Sequence, residues 1–169
     1  KIVQIEFFHL KNFCPKKSID QTLRNELGIS NDSPLLGYVG RYHPMKDLGN
    51  LIKSLTLLNQ NLKNVNAVLV GSNIDHNNKE LMNLIDEYKL NHRVHLVGER
   101  NDISSFMNSI DLLVLCSSYG EAFPNVLNEA MSCGTPCVTT NIGDSALIVG
   151  NTGWVIPPND SDALAKAIN

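Results

Sequence analysis

The amino-acid sequence predicts an α/β domain, a Rossmann-like three-layer sandwich built on a mostly parallel six-stranded sheet. From Leu35 onward, short runs rich in Leu and β-branched residues alternate with longer segments of helical periodicity, the signature of βαβ units. The short runs are apolar almost throughout, as strands buried on both faces of a parallel sheet must be. With 169 residues the chain is long enough for one compact core, so 1–169 is read as a single domain.

In chain order, a strand-like KIVQI (1–5) comes first, then a loop through Pro15 and a helix around Ser18 to Leu27 closed by Gly28. The first sheet strand is LLGYVG (35–40), followed by Leu48, Leu51, Ile52, Leu55 and Leu62 at helical spacing. NAVLVG (66–71) is the second strand, and Leu81, Leu84, Ile85 and Tyr88 form the next apolar stripe. RVHLVG (93–98) precedes the stripe Ile103, Phe106, Met107 and Ile110, and DLLVLC (111–116) follows it. A helix is expected from about Pro124 to Cys133, because Pro suits a first turn and Gly134 a helix end. PCVTT (136–140) and GWVI (153–156) complete the sheet, with Trp154 expected in the core. SDALAKAIN opens an amphipathic helix with no stop signal, so the natural chain is expected to continue past Asn169.

Composition excludes several classes. A formal charge of −3 argues against nucleic acid as a partner, so any phosphate site must be local. No apolar run approaches the length of a membrane span. Cys14, Cys116, Cys133 and Cys137 form no CxxC pair, and with no secretory leader at Lys1 they predict buried free thiols in a reducing, cytoplasmic compartment. The five histidines show no ligand spacing, so no metal site and no cofactor are expected; His43 reads as a surface residue of its loop. The string Asp160-Ser161-Asp162 reads as a helix cap.

In open α/β sheets, ligands sit outside the carboxyl ends of the strands, which selects the loops after 35–40, 93–98 and 111–116. The first, GYVGRYHPMKDL, places Gly40 at the strand end and Arg41 and Lys46 in the turn. Two cations there can clamp phosphate oxygens, and glycine permits close backbone approach; a solvated basic loop is the competing reading. It is neither a Walker loop nor GxGxxG. The loop SSYGEAFPNVLNEAM carries Glu121 and Glu129, eight residues apart, around a helix start near Asn125. A helix N-terminus offers an anion site, and carboxylates beside it suit sugar and ribose hydroxyls; an exposed helix residue and a dipole partner are the competing reading.

Three ordered stretches, VGRYHPMKD, SSYGEAFPNVLNEAMSCGTPCVTTNIGD and GNTGWVIPPND, resemble the C-terminal domain of family 4 glycosyltransferases, retaining enzymes of two-Rossmann-domain (GT-B) architecture. The resemblance runs from about Pro34 to Asn169. It implies that Arg41 and Lys46 hold the donor diphosphate with Gly40 allowing close approach, that Glu121 contacts the donor sugar, and that Glu129 holds the ribose. It places the backbone of Phe123, Pro124, Asn125 and Val126 along sugar and phosphates, and Gly98, Glu99 and Arg100 at the border of the nucleobase. The implied partners are a nucleotide-sugar and an acceptor-binding N-terminal domain upstream of Lys1. The implied activity is metal-independent transfer of a hexose-type sugar to a glycan or lipid-linked acceptor in polysaccharide biosynthesis, at the cytoplasmic membrane face. Two features depart from the family: FFHLKNFCP stands where an Asn-Gly dipeptide is usual, and Gly143-Asp144 replaces a paired glycine, which predicts a different approach of that loop to the ligand. Other classes consistent with the residues are a nucleotide-binding or protein-interaction module without transfer activity, and a sugar-phosphate epimerase of related design.

Overall fold

The computed structural model describes residues 10, 12–16 and 21–169. The expected strand at 1–5 lies outside them, and the first helix is described from Thr22. Its elements in order are α1 (Thr22–Leu27), β1 (Leu35–Val39), α2 (Leu48–Thr56), β2 (Asn66–Val70), α3 (Lys79–Glu87), β3 (Val94–Leu96), α4 (Ile103–Met107), β4 (Leu112–Leu115), α5 (Asn125–Ser132), β5 (Cys137–Thr140), α6 (Ser145–Val149), β6 (Trp154–Ile156) and α7 (Ser161–Ile168). Short 3-10 turns at Pro44–Lys46 and Gln60–Leu62 flank α2.

All six strands join one sheet in the order β3-β2-β1-β4-β5-β6, and every pairing is parallel. The expected alternation is thus present, with no antiparallel edge among the described residues. Successive strands first step outward from β1 to β3, then the chain crosses back to lay β4 on the other side of β1. Right-handed crossovers require the connecting helices to change face at that reversal. They do: α2 and α3 join α7 on one face, while α1, α4, α5 and α6 cover the other.

Strand residues alternate between the two cores as the pleat demands. Leu36, Tyr38, Leu69, Val114, Cys116 and Val138 pack with α2, α3 and α7, whereas Leu35, Val68, Val70, Leu113, Leu115 and Cys137 pack with the opposite helices. At the amino end of the sheet, buried Arg24 of α1 donates to the carbonyls of Ser30 and Ser33 and to Asp111, whose carboxylate also accepts the Leu35 N–H at 2.7 Å. That cluster ties the starts of β1 and β4 together, 76 residues apart in sequence.

Four expectations change. Trp154 is 50% exposed, because β6 is an edge strand with a neighbouring strand on one side alone. The five-residue α6 was not anticipated. Leu62 belongs to the separate 3-10 turn after α2, and Tyr88 and Ile110 fall past the ends of α3 and α4, although Ile110 is still buried. Of the four cysteines, Cys14 is exposed and the other three are buried free thiols.

Candidate functional site

The reversal between β1 and β4 opens a crevice at their carboxyl ends, where ligands of doubly wound sheets bind. Lys46 reaches it from β1 and Glu121 from β4. After β1, His43 caps the 3-10 turn by accepting the Met45 N–H at 3.1 Å. Asp47 then begins α2 with left-handed backbone, its carboxylate accepting the Asn50 N–H at 3.2 Å. This tight turn directs Lys46 across the crevice, where its ammonium pairs with Glu121 Oε1.

Other contacts lock the two loops together. The Ser118 N–H donates to the Met45 carbonyl at 2.8 Å. The Cys116 thiol donates to the carbonyls of Lys46 and Asp47 at 3.2 and 3.3 Å. The Ser117 hydroxyl donates to Glu121 Oε1 at 2.6 Å. Burial, reinforced by the Asp47 charge, pushes the Cys116 thiol up to about 12, so it remains a protonated donor. Burial likewise raises the Tyr38 hydroxyl, with smaller contributions from Cys116 and Glu121. That hydroxyl donates to the Arg41 carbonyl at 3.3 Å. It also occupies the space over Gly40, 2.6 Å from where a Cβ would lie. Gly40 therefore accommodates the tyrosine beneath the loop, a packing role the sequence did not reveal.

Around this pair the remaining candidates take distinct positions. Arg41 is exposed, and its guanidinium has no partner among the described residues. α5 begins at Asn125 after Pro124, with no side-chain cap. The N–H groups of Asn125 and Val126 accordingly find no acceptor among the described residues. Glu129 lies half-buried one turn into α5, and Phe123 is exposed beside Glu121, as is Tyr119 on its other side. Gly143 and Asp144 brace the Glu121 loop from below: the Asp144 N–H donates to the Ala122 carbonyl at 2.8 Å.

The third loop is differently engaged. Gly98 has left-handed backbone with open space above it, and Glu99 is exposed. Arg100, however, is bound to Asp102 at 2.8 Å and to Glu26 of α1 at 3.2 Å, and these carboxylates raise its already high pKa. It joins α1 to the start of α4. A feature that the sequence reading passed over lies after β2, where Tyr42, Asn73, Asp75, Asn77, Asn78 and Glu80 line a polar cleft of about 510 Å³. The Asn- and Asp-rich run was its visible signal. Among the described residues, no helix is long and apolar enough to cross a membrane, and no group of three His, Cys, Asp or Glu is placed to hold a metal ion. Asp160 accepts the Ala163 N–H at 2.8 Å as the cap of α7.

Comparison with known proteins adds to this geometry. Residues 19–169 match the family described as Glycosyl transferases group 1. The chain is 30% identical to the capsular polysaccharide biosynthesis glycosyltransferase CapM of Staphylococcus aureus over 98% of its own length and 42% of CapM. It is 32% identical to Anabaena HepE, solved in complex with UDP-glucose, with a TM-score of 0.84 over 95% of this chain and 44% of that one. The fold also matches the C-terminal domain of a glycosyl transferase group 1 protein of Francisella tularensis at a TM-score of 0.78 and 21% identity, covering 84% of that domain. The chain spans about 40% of the length of the curated relatives that it matches along most of its own length.

Proposed function

The chain belongs to the group 1 glycosyl transferases, and from that premise we propose that it is the donor-binding C-terminal half of a retaining enzyme moving a hexose-type sugar from a nucleoside diphosphate to a glycan or lipid-linked acceptor. The observation that carries this reading is the convergence of Lys46, Glu121 and the uncapped start of α5 at the β1/β4 reversal. The HepE complex with UDP-glucose supports a uridine nucleotide as the first donor to try. The acceptor half is read as a second Rossmann-like domain, in keeping with the partial coverage of the relatives, and the enzyme as cytoplasmic, acting at the inner membrane face.

Breaking the sugar–phosphate bond builds negative charge on the departing diphosphate, so preplaced cations and amides act most strongly on the transition state. Arg41 is open to receive phosphate oxygens. Lys46 exchanges its pairing with Glu121 for the diphosphate, which leaves the carboxylate beside the donor sugar. Glu129 serves the ribose, and the loop of Gly98, Glu99 and Arg100 borders the base. Arg41, Lys46 and the α5 amides take up the leaving-group charge without a metal.

Calorimetric titration with UDP, GDP, ADP and their hexose conjugates tests the reading. Binding of one nucleotide, lost in Lys46→Ala, is expected; a folded chain that binds none of them would sink it and favour an interaction module. In the full-length enzyme, Lys46→Ala is expected to lower turnover at least a hundredfold, roughly 3 kcal/mol of transition-state stabilisation. Turnover is expected to survive EDTA.

A further inference from the structure

Glu121 is held by more than the lysine. Its Oε1 accepts from both Lys46 and the Ser117 hydroxyl, and Ser117 has no exposed surface. The Ser117 carbonyl accepts in turn from the Thr140 hydroxyl at 2.6 Å, and Thr140 is equally buried at the end of β5. A serine hydroxyl has one proton to donate, and here it goes to the carboxylate. Because both protein donors fall on one oxygen, Oε2 is left without a protein donor among the described residues.

We propose that Ser117, anchored by Thr140, is the positioning residue that holds Glu121 to the donor sugar after the diphosphate has drawn Lys46 away. This inference rests on reading Glu121 as the sugar contact. In the structure at hand Lys46 and Ser117 share the task of orienting the carboxylate. A diphosphate competes for the lysine but not for a buried neutral hydroxyl, so once donor is bound Ser117 is the remaining protein donor to Oε1. Thr140 extends the same support to β5, tying Glu121 to a strand beyond the one that carries its loop. Charge-assisted hydrogen bonds of this kind are strong in a site shielded from water.

The consequence is a split that general damage to the fold would not produce. Ser117→Ala should leave affinity for the nucleoside diphosphate within about twofold of wild type or tighter, because Lys46 loses nothing. The extra affinity contributed by the sugar should disappear, and kcat should fall about 10- to 100-fold, as expected for lost orientation. Thr140→Val, nearly isosteric but without the hydroxyl, should shift the same two quantities in the same direction by less, and Thr140→Ser should restore them.

The experiment is calorimetry with UDP and UDP-glucose, or with whichever nucleotide pair the wild type selects, alongside steady-state kinetics of the full-length enzyme carrying each variant. Equal loss of affinity for nucleotide and nucleotide-sugar, or a kcat within twofold of wild type, overturns the proposal. If Ser117→Ala does not fold, the Thr140→Val and Thr140→Ser pair decides on the same criteria. A wild-type protein that binds no nucleotide overturns the donor-site reading itself, whereas normal wild-type binding with an indifferent Ser117→Ala removes the positioning role alone.

Discussion

Gly143 and Gly98 both hold left-handed backbone, at φ +57° and +68°, yet their surroundings separate the cost of conformation from the cost of contact. Nothing lies within 4 Å of a Cβ built on Gly98, so Gly98→Ala meets only the backbone penalty, about 1–2 kcal/mol. A Cβ on Gly143 would run into the carbonyls of Glu121 and Ala122, which are backbone and can move only with the whole loop. Overpacking adds about 1–3 kcal/mol to the same backbone term. Urea unfolding should therefore rank Gly143→Ala clearly below Gly98→Ala. Gly143→Ala alone should also weaken the sugar contribution to donor binding, because it displaces the main chain that carries Glu121. Equal destabilisation by the two substitutions would mean that the loop is free to yield.

Elements show what sequence can and cannot reveal. The strands were legible because near-continuous apolar runs have few other uses, α2, α3 and α4 because their stripes fit one helical face, and α5 because Pro124 and Gly134 bracket it. The five residues of α6 are too few to display a period, and nothing local marks β6 as the edge strand, with Trp154 half exposed. At the site, residue types singled out Lys46 and Glu121, but their pairing across 75 positions is a product of strand order. The same holds for Arg24 with Asp111 and for the Cys116 thiol over the Lys46 loop, since neither has a sequence motif. The Asp-Ser-Asp string shows the reverse case, a motif whose local role was readable. Asp160 caps α7, which packs against α2, so Asp160→Ala should cost about 1 kcal/mol in urea unfolding and Asp160→Asn much less. Neither should change nucleotide affinity, and a metal-dependent loss of binding on Asp160→Asn would contradict the capping role.

Over the whole molecule, the two-sided core makes the fold sensitive to alkali in a direction that can be worked out. Cys116 lies in the core on one face of the sheet and Cys137 in the core on the other, and burial pushes both thiols up to about 12. An unfolded thiol loses its proton near pH 8.5. Between that value and 12 the unfolded chain therefore binds fewer protons than the folded one, and unfolding free energy falls as pH rises. The stabilisation is fully present below the unfolded value. It declines by at most about 1.4 kcal/mol per pH unit for each thiol until the folded groups titrate. Tyr38, raised by burial in the same way, adds a loss of the same sign that begins at the ordinary tyrosine value. Urea unfolding at pH 6, 7.5 and 10.5 should thus show stability nearly level over the first interval and falling over the second. Replacing Cys116 and Cys137 together by Ala lowers stability at every pH by leaving small cavities, but it should flatten the alkaline slope. An unchanged slope in the double variant would show that these two thiols do not carry the effect. Because the two sulfurs occupy opposite layers, the single variants should each remove about half of what the double variant removes, which only a cooperative unit spanning both layers would produce.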